Sequence, residues 1–134
     1  MIEARTWQKI TNQRTAVLEY LQTSTEHPKA QKIYQEVKKQ LPRISLSTIY
    51  RILEELIKQN LVREVLVKRQ EVRYETNFQD HINFYCRLCR RIIDIPMTEL
   101  LDIKRRLKAK NYIVEENNIV IQGVCPLCWR LKQH

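Results

Sequence analysis

The spacing of apolar residues changes near the middle of the chain, and the predicted structure changes with it. Up to Asn60 the period is helical. Val17, Leu18 and Leu21 share one face of a first helix, for which Thr11 is the candidate N-cap. Pro28 opens a second helix with Ala30, Ile33, Tyr34 and Val37 inward, and Pro42 closes it. Ser45 is the N-cap expected for a third, where Leu46, Ile49, Ile52, Leu53, Leu56 and Ile57 recur every three or four residues. Beyond it, Leu61 to Lys68 and Val72 to Glu75 read as short strands joined by Lys68-Arg69-Gln70-Glu71.

The second half reads strand, strand, helix, strand, strand. Ile82 to Tyr85 and Arg91 to Ile95 come first. Pro96 and Thr98 then mark a helix running through Leu107. Tyr112 to Val114 and Ile119 to Gln122 follow as strands around Glu115-Glu116-Asn117-Asn118. So small a sheet leaves exposed edges that a second copy would cover, so a homodimer is expected. The fold class is α+β: a winged helix-turn-helix over residues 1–76, then a small α/β dimerisation domain over 77–134.

On the third helix the polar face carries Ser47, Tyr50, Arg51, Glu54, Glu55 and Lys58. Small hydroxyls, an aromatic ring and an arginine near its N-terminal end suit a helix that enters the major groove tip first. The balance of 24 Lys and Arg against 15 Asp and Glu, formally +9, also points to a polyanionic partner. No segment reaches the roughly 18 consecutive apolar residues of a membrane span.

All four cysteines stand in two pairs, Cys86-Arg87-Leu88-Cys89 and Cys125-Pro126-Leu127-Cys128, with 35 residues between them. Such pairs aim four soft ligands at one ion, a closed structural Zn²⁺ site. A redox dithiol and a pair of disulfides are the competing readings. Met1 to Arg14 has no apolar run and carries Glu3, Arg5, Lys9 and Arg14, so no secretory signal is expected. That favours a cytoplasmic, reducing setting and metal over disulfide. Four cysteine ligands leave no open position for water on the zinc, and neither pair opens a helix within a βαβ pattern, so an enzyme is not expected. A zinc-stapled basic interaction module remains the alternative outside gene regulation.

The order of winged helix, His-x-x-x-x-Cys-x-x-Cys and closing Cys-x-x-Cys resembles the Fur family of metal-responsive repressors. The resemblance covers roughly residues 5 to 130. It rests on Thr11-Asn12-Gln13-Arg14, His27-Pro28, Ser45-Leu46-Ser47-Thr48-Ile49-Tyr50-Arg51, Arg73-Tyr74-Glu75, His81 to Cys89, Ile93-Asp94 and the last knuckle. It implies a second, regulatory metal site at His27, Glu75, His81 and Asp94, with Asn83 standing where the family has a second histidine. An Asn oxygen suits a hard ion, so Fe²⁺ or Mn²⁺ is expected there rather than Zn²⁺. The operator is expected to be a short palindrome, read by Ser47, Tyr50 and Arg51 on one edge of the third helix, with Thr48 at its border to contact phosphate or close the first turn. The resemblance further implies Arg14 on a backbone phosphate. Asp94 resembles the peroxide-sensing branch, Glu75 the iron-sensing branch, and Asn83 neither. Response to another metal (Zn, Mn or Ni) is the alternative within the family.

Overall fold

The computed structural model describes residues 4–68, 71–115 and 118–132, with the side chains of 4–7 left aside. Helix α1 (Ala4–Thr23), α2 (Ala30–Lys38) and α3 (Leu46–Lys58) precede the hairpin β1 (Arg63–Leu66) and β2 (Val72–Glu75). Then follow β3 (His81–Cys86), β4 (Ile92–Pro96), α4 (Glu99–Ala109), β5 (Val120–Gly123) and α5 (Pro126–Lys132).

The three helices bury the predicted apolar faces against one another. Val17, Ile33, Ile49, Ile52, Leu53 and Leu56 are all 2% exposed or less, and Tyr74 and Val72 of the hairpin close this core from below. Ser45 caps α3 as predicted, its Oγ accepting from the Thr48 N–H at 3.2 Å. With a single glycine in the chain, helix ends use asparagine instead. Asn60 (φ 58°) and Asn111 (φ 67°) take the left-handed conformation. Leu61 N–H then reaches the Leu56 carbonyl and Tyr112 N–H the Leu107 carbonyl, at 2.9 Å each. Both are Schellman closures, which satisfy carbonyls that the helix leaves open.

The second sheet has the order β4-β3-β5, with β3 antiparallel to β4 and parallel to β5. Its register sets Asn83 opposite Asp94, on the face that also carries His81. A Cβ at Gly123 would meet Phe84 Cζ at 3.0 Å, so glycine lets β5 sit close on β3. The hairpin joins this half too, because Val65 and Val67 are buried with Tyr85 and Ile92, and Val120 packs on them.

Two expectations are corrected and one element is added. Thr11 lies inside α1 and does not cap it, because good helix formers such as Ala4, Gln8 and Lys9 carry the helix back to Ala4. Tyr112 to Val114 is not a strand: Tyr112 is spent on the α4 closure, and Ile113 is 88% exposed. The last knuckle continues into α5, which was not foreseen.

Removing the α3 cap is the sharpest test of this assembly. Ser45→Ala is expected to lower unfolding stability by about 1 kcal/mol. Urea unfolding should show this as a lower midpoint at unchanged slope.

Candidate metal centres

The turn between β3 and β4 and the start of α5 bring the four cysteines together, with their sulfurs all within 4.8 Å of one another. Cys89 and Cys125 sulfurs lie 3.9 Å apart, against about 3.8 Å for a tetrahedron of 2.3 Å Zn–S bonds. The first knuckle is closed by hydrogen bonds from Arg90 N–H to the Cys86 carbonyl (2.8 Å) and from Cys86 N–H to the Arg91 carbonyl (3.0 Å). Burial opposes ionisation of Cys86, but backbone N–H groups of Cys89, Cys125 and Leu88 outweigh it and bring the thiol down to about 6. Cys128 moves the other way, pushed up to about 12 chiefly by its hydrogen bond with Cys125. Four crowded sulfurs cannot all ionise without a cation among them. A divalent soft ion resolves that conflict, so this donor set fits structural zinc.

The second cluster is built from four separate segments. His27 lies in the α1–α2 connection, Glu75 ends β2, His81 begins β3 and Asp94 lies in β4. His27 Nε2 is 2.6 Å from Asp94 Oδ1 and 3.0 Å from Glu75 Oε2. His81 Nε2 is 3.2 Å from the same Glu75 oxygen and 3.6 Å from Asp94 Oδ1. His27, Glu75 and His81 are buried, and Asp94 is partly open. The His81 ring is oriented by its Nδ1–H, which donates to the Gln79 carbonyl at 2.6 Å and turns Nε2 toward the cluster. Asn77 Nδ2 donates to Asp94 Oδ2 at 3.0 Å. Asn77 and Gln79 were missed in the sequence because such supporting contacts have no spacing signature.

Two acceptor-rich carboxylates and an imidazole lone pair converge here, and only a proton or a metal ion can sit between them. Burial alone would lower the His27 pKa, but hydrogen bonds to Asp94 and Glu75 override it and raise it to about 9. Asp94 is correspondingly held below the usual carboxylate range: burial opposes this, and the hydrogen bonds from His27 and Asn77 prevail. Among the described residues, buried His27 Nδ1, Glu75 Oε1 and Asn83 Oδ1 have no hydrogen-bond partner. Asn83 is 1% exposed on the His81 face of β3. An unpaired buried acceptor beside a carboxylate–histidine cluster fits a hard cation.

One side chain ties the two centres together. Arg73, 8% exposed, donates through Nη1 to the His27 carbonyl (3.2 Å), Nη2 to the Arg90 carbonyl (3.0 Å) and Nε to Glu71 (3.0 Å). The predicted DNA-facing residues divide. Ser47, Tyr50 and Arg51 are exposed on α3. Thr48 is half-buried and bonded to the Ser45 hydroxyl at 2.9 Å. Arg14 turns onto Gln59 (2.6 Å) and Glu55 (3.8 Å) of its own fold.

A winged helix joined to a cysteine-clamped sheet, with a histidine–carboxylate cluster where they meet, defines a metal-responsive regulator. The sequence model of the ferric uptake regulator family matches residues 6–122, and the chain belongs to that family. It is 33% identical over 121 residues to the peroxide-responsive repressor PerR of Staphylococcus aureus, spanning 90% of this chain and 82% of that one. Among solved structures it resembles the Campylobacter jejuni peroxide stress regulator, with TM-score 0.80, 31% identity and coverage of 95% and 100%. The Helicobacter pylori ferric uptake regulator Fur shares the fold at TM-score 0.74 and 23% identity, over 88% and 80% of the two chains. No described helix is long and apolar enough to cross a membrane.

Two outcomes are expected. Cys86→Ala should lose zinc and the fold together, because structural zinc contributes about 10–16 kcal/mol against a typical stability of about 5–15. Elemental analysis and circular dichroism check this, and a folded zinc-free variant would contradict it. At the second centre, protonated His27 stabilises the metal-free fold fully below its unfolded pKa, and that contribution is lost as pH rises through about 9. A metal ion must displace that proton, so Mn²⁺ affinity should rise about tenfold per pH unit between roughly 7 and 9. Calorimetry in buffers of different ionisation enthalpy should find about one proton released per ion.

Proposed function

We propose that this chain is a homodimeric, metal-dependent DNA-binding repressor of the cytoplasm that senses peroxide or iron. Residues 1–76 bind a short palindromic operator and residues 77–134 dimerise. The observation that carries this reading is the buried cluster of His27, Glu75, His81 and Asp94, whose members come from both halves. An ion held by these four residues, with Asn83 as a further oxygen donor, fixes the angle between the halves. It thereby fixes the separation of two recognition helices in the dimer. Such an ion shifts the population toward the closed form only by its differential affinity for that form.

The donor set of imidazole, carboxylate and amide oxygen favours Fe²⁺ or Mn²⁺. Bound Fe²⁺ would supply the reducing electrons that let peroxide attack a ligand histidine, as the resemblance to the peroxide-sensing branch implies. The chain's own part is to hold His81 by the Gln79 carbonyl and Asp94 by Asn77, so that both face the ion. The relatives named for peroxide response support this branch. On α3, Arg51 offers a fork to guanine, Tyr50 packs on a thymine methyl or bonds a phosphate, and Ser47 borders them. Thr48 serves the cap as well as this edge. Arg14 reaches a phosphate only by leaving Gln59 and Glu55.

The test is a mobility shift on genomic fragments with and without Mn²⁺. The parent should bind a palindrome in a metal-dependent way, and His27→Ala should abolish that dependence while keeping its zinc. Arg51→Ala should lose about 1–3 kcal/mol and relax specificity at one base pair. Metal-independent binding, or equal weakening on operator and scrambled duplexes, would overturn the corresponding assignment.

A further inference from the structure

Beside α3 lies a cavity of ≈ 660 Å³ lined by both halves of the molecule. Lys29 before α2, Tyr50 of α3, Lys68 and Glu71 of the hairpin turn, and Arg87 and Arg90 of the first knuckle all border it. Four cations thus face one carboxylate. Glu71 is already engaged, 2.9 Å from Lys29 and 3.0 Å from Arg73. Among the described residues no acid lies within ion-pair distance of Lys68, Arg87 or Arg90. The notch therefore carries positive charge that the protein does not neutralise.

We infer that Arg87 and Arg90 belong to the DNA-binding surface, completing with Lys29 and Lys68 a seat for a backbone phosphate that exists only when the halves are closed. This deepens the DNA-binding reading above and rests on it. Tyr50 comes from the recognition helix and Lys68 from the wing, the elements that in a winged helix lie along the groove and its flanking backbone. A polyanion crossing both of them is the same duplex. The knuckle cannot drift from this position, because the Arg90 carbonyl accepts from Arg73 and its N–H closes the turn onto Cys86. Zinc then does more than hold the second half together: it orders the turn that brings two further cations to the DNA. The same closure that gathers His27 and Asp94 gathers the notch, so metal binding at one side raises phosphate affinity at the other.

The experiment is a salt series with the zinc-loaded protein and a short duplex of mixed sequence, which suffices because phosphate contacts ignore sequence. The variant is Arg87→Ala combined with Arg90→Asn, asparagine being chosen because Arg90 has φ 63°. With Mn²⁺ present, the slope of log K against log salt should fall in magnitude by about one to two relative to the parent. Zinc content and Mn²⁺ affinity should stay at parental values, and without Mn²⁺ the two proteins should bind alike. An unchanged slope in a variant whose parent binds DNA overturns this inference and leaves the repressor reading standing. A parent that binds no DNA with or without Mn²⁺ overturns both. If poly-glutamate binding falls as far as DNA binding, the notch is a general polyanion site and its assignment to DNA fails. Should the double variant lose zinc, Arg87→Ala alone carries the test, with about half the slope change expected.

Discussion

The structure depends on where one buried guanidinium sends its hydrogen bonds. Arg73 bonds a carboxylate and two carbonyls, and both carbonyls belong to residues with positive φ, His27 (49°) and Arg90 (63°). The left-handed conformation is uncommon for such residues, and a following proline restricts His27 further. It persists at His27 because Arg73 holds its carbonyl while the next carbonyl, of Pro28, accepts from Tyr74 N–H at 3.1 Å. A lysine has no planar fork to reach three acceptors in different directions. The histidine of the buried cluster and the first cysteine knuckle are therefore positioned by the same side chain, from a strand of the N-terminal half.

The two metal centres solve opposite charge problems. At the cysteines, sulfurs compete for too few protons, and Cys86 and Cys128 are driven in opposite directions. At the histidines, carboxylates draw a proton onto His27. In each case the metal-free cluster is frustrated, and a divalent ion relieves it. On the proposed reading Asn83 has its own place in this balance. It supplies a neutral oxygen where the family carries a nitrogen, so the site hardens without gaining charge. Asn83 is 1% exposed, and its oxygen otherwise has no hydrogen-bond partner.

Much of this was legible because the signals are local. Helical spacing of Ile49, Ile52, Leu53 and Leu56 marks α3, Ser45 announces its start, and the cysteine pairs announce their own geometry. The strand read over Val72 to Glu75 matches β2 to the residue. The family resemblance, not spacing, joined His27 to His81 across 53 intervening positions, and the structure brings both to the same carboxylates. What stayed hidden depends on distant backbone. Arg73 reads as a strand residue until its acceptors, 46 and 17 positions away, are known. The parallel pairing of β5 with β3 was equally invisible, as was α5, since seven residues that begin inside a knuckle show too short a period to read.

On the proposed reading, closure of the two halves is not left to metal alone. Val65 and Val67 are at most 7% exposed, buried with Tyr85 and Ile92 of the other half, so the wing is also a joint. Fully burying a valine contributes about 1.5–3 kcal/mol, so peeling two of them away costs about 3–6, a population factor of roughly 10² to 10⁴. Moving an equilibrium from 1:99 to 99:1 takes about 5.5 kcal/mol of differential binding. The apolar joint and the ion therefore act on the same scale. A joint much stronger than this would keep the halves closed without metal, and a much weaker one would demand implausible affinity from four ligands. On the proposed reading, sensitivity to the ion is set as much by two valines of the hairpin as by the histidines of the cluster.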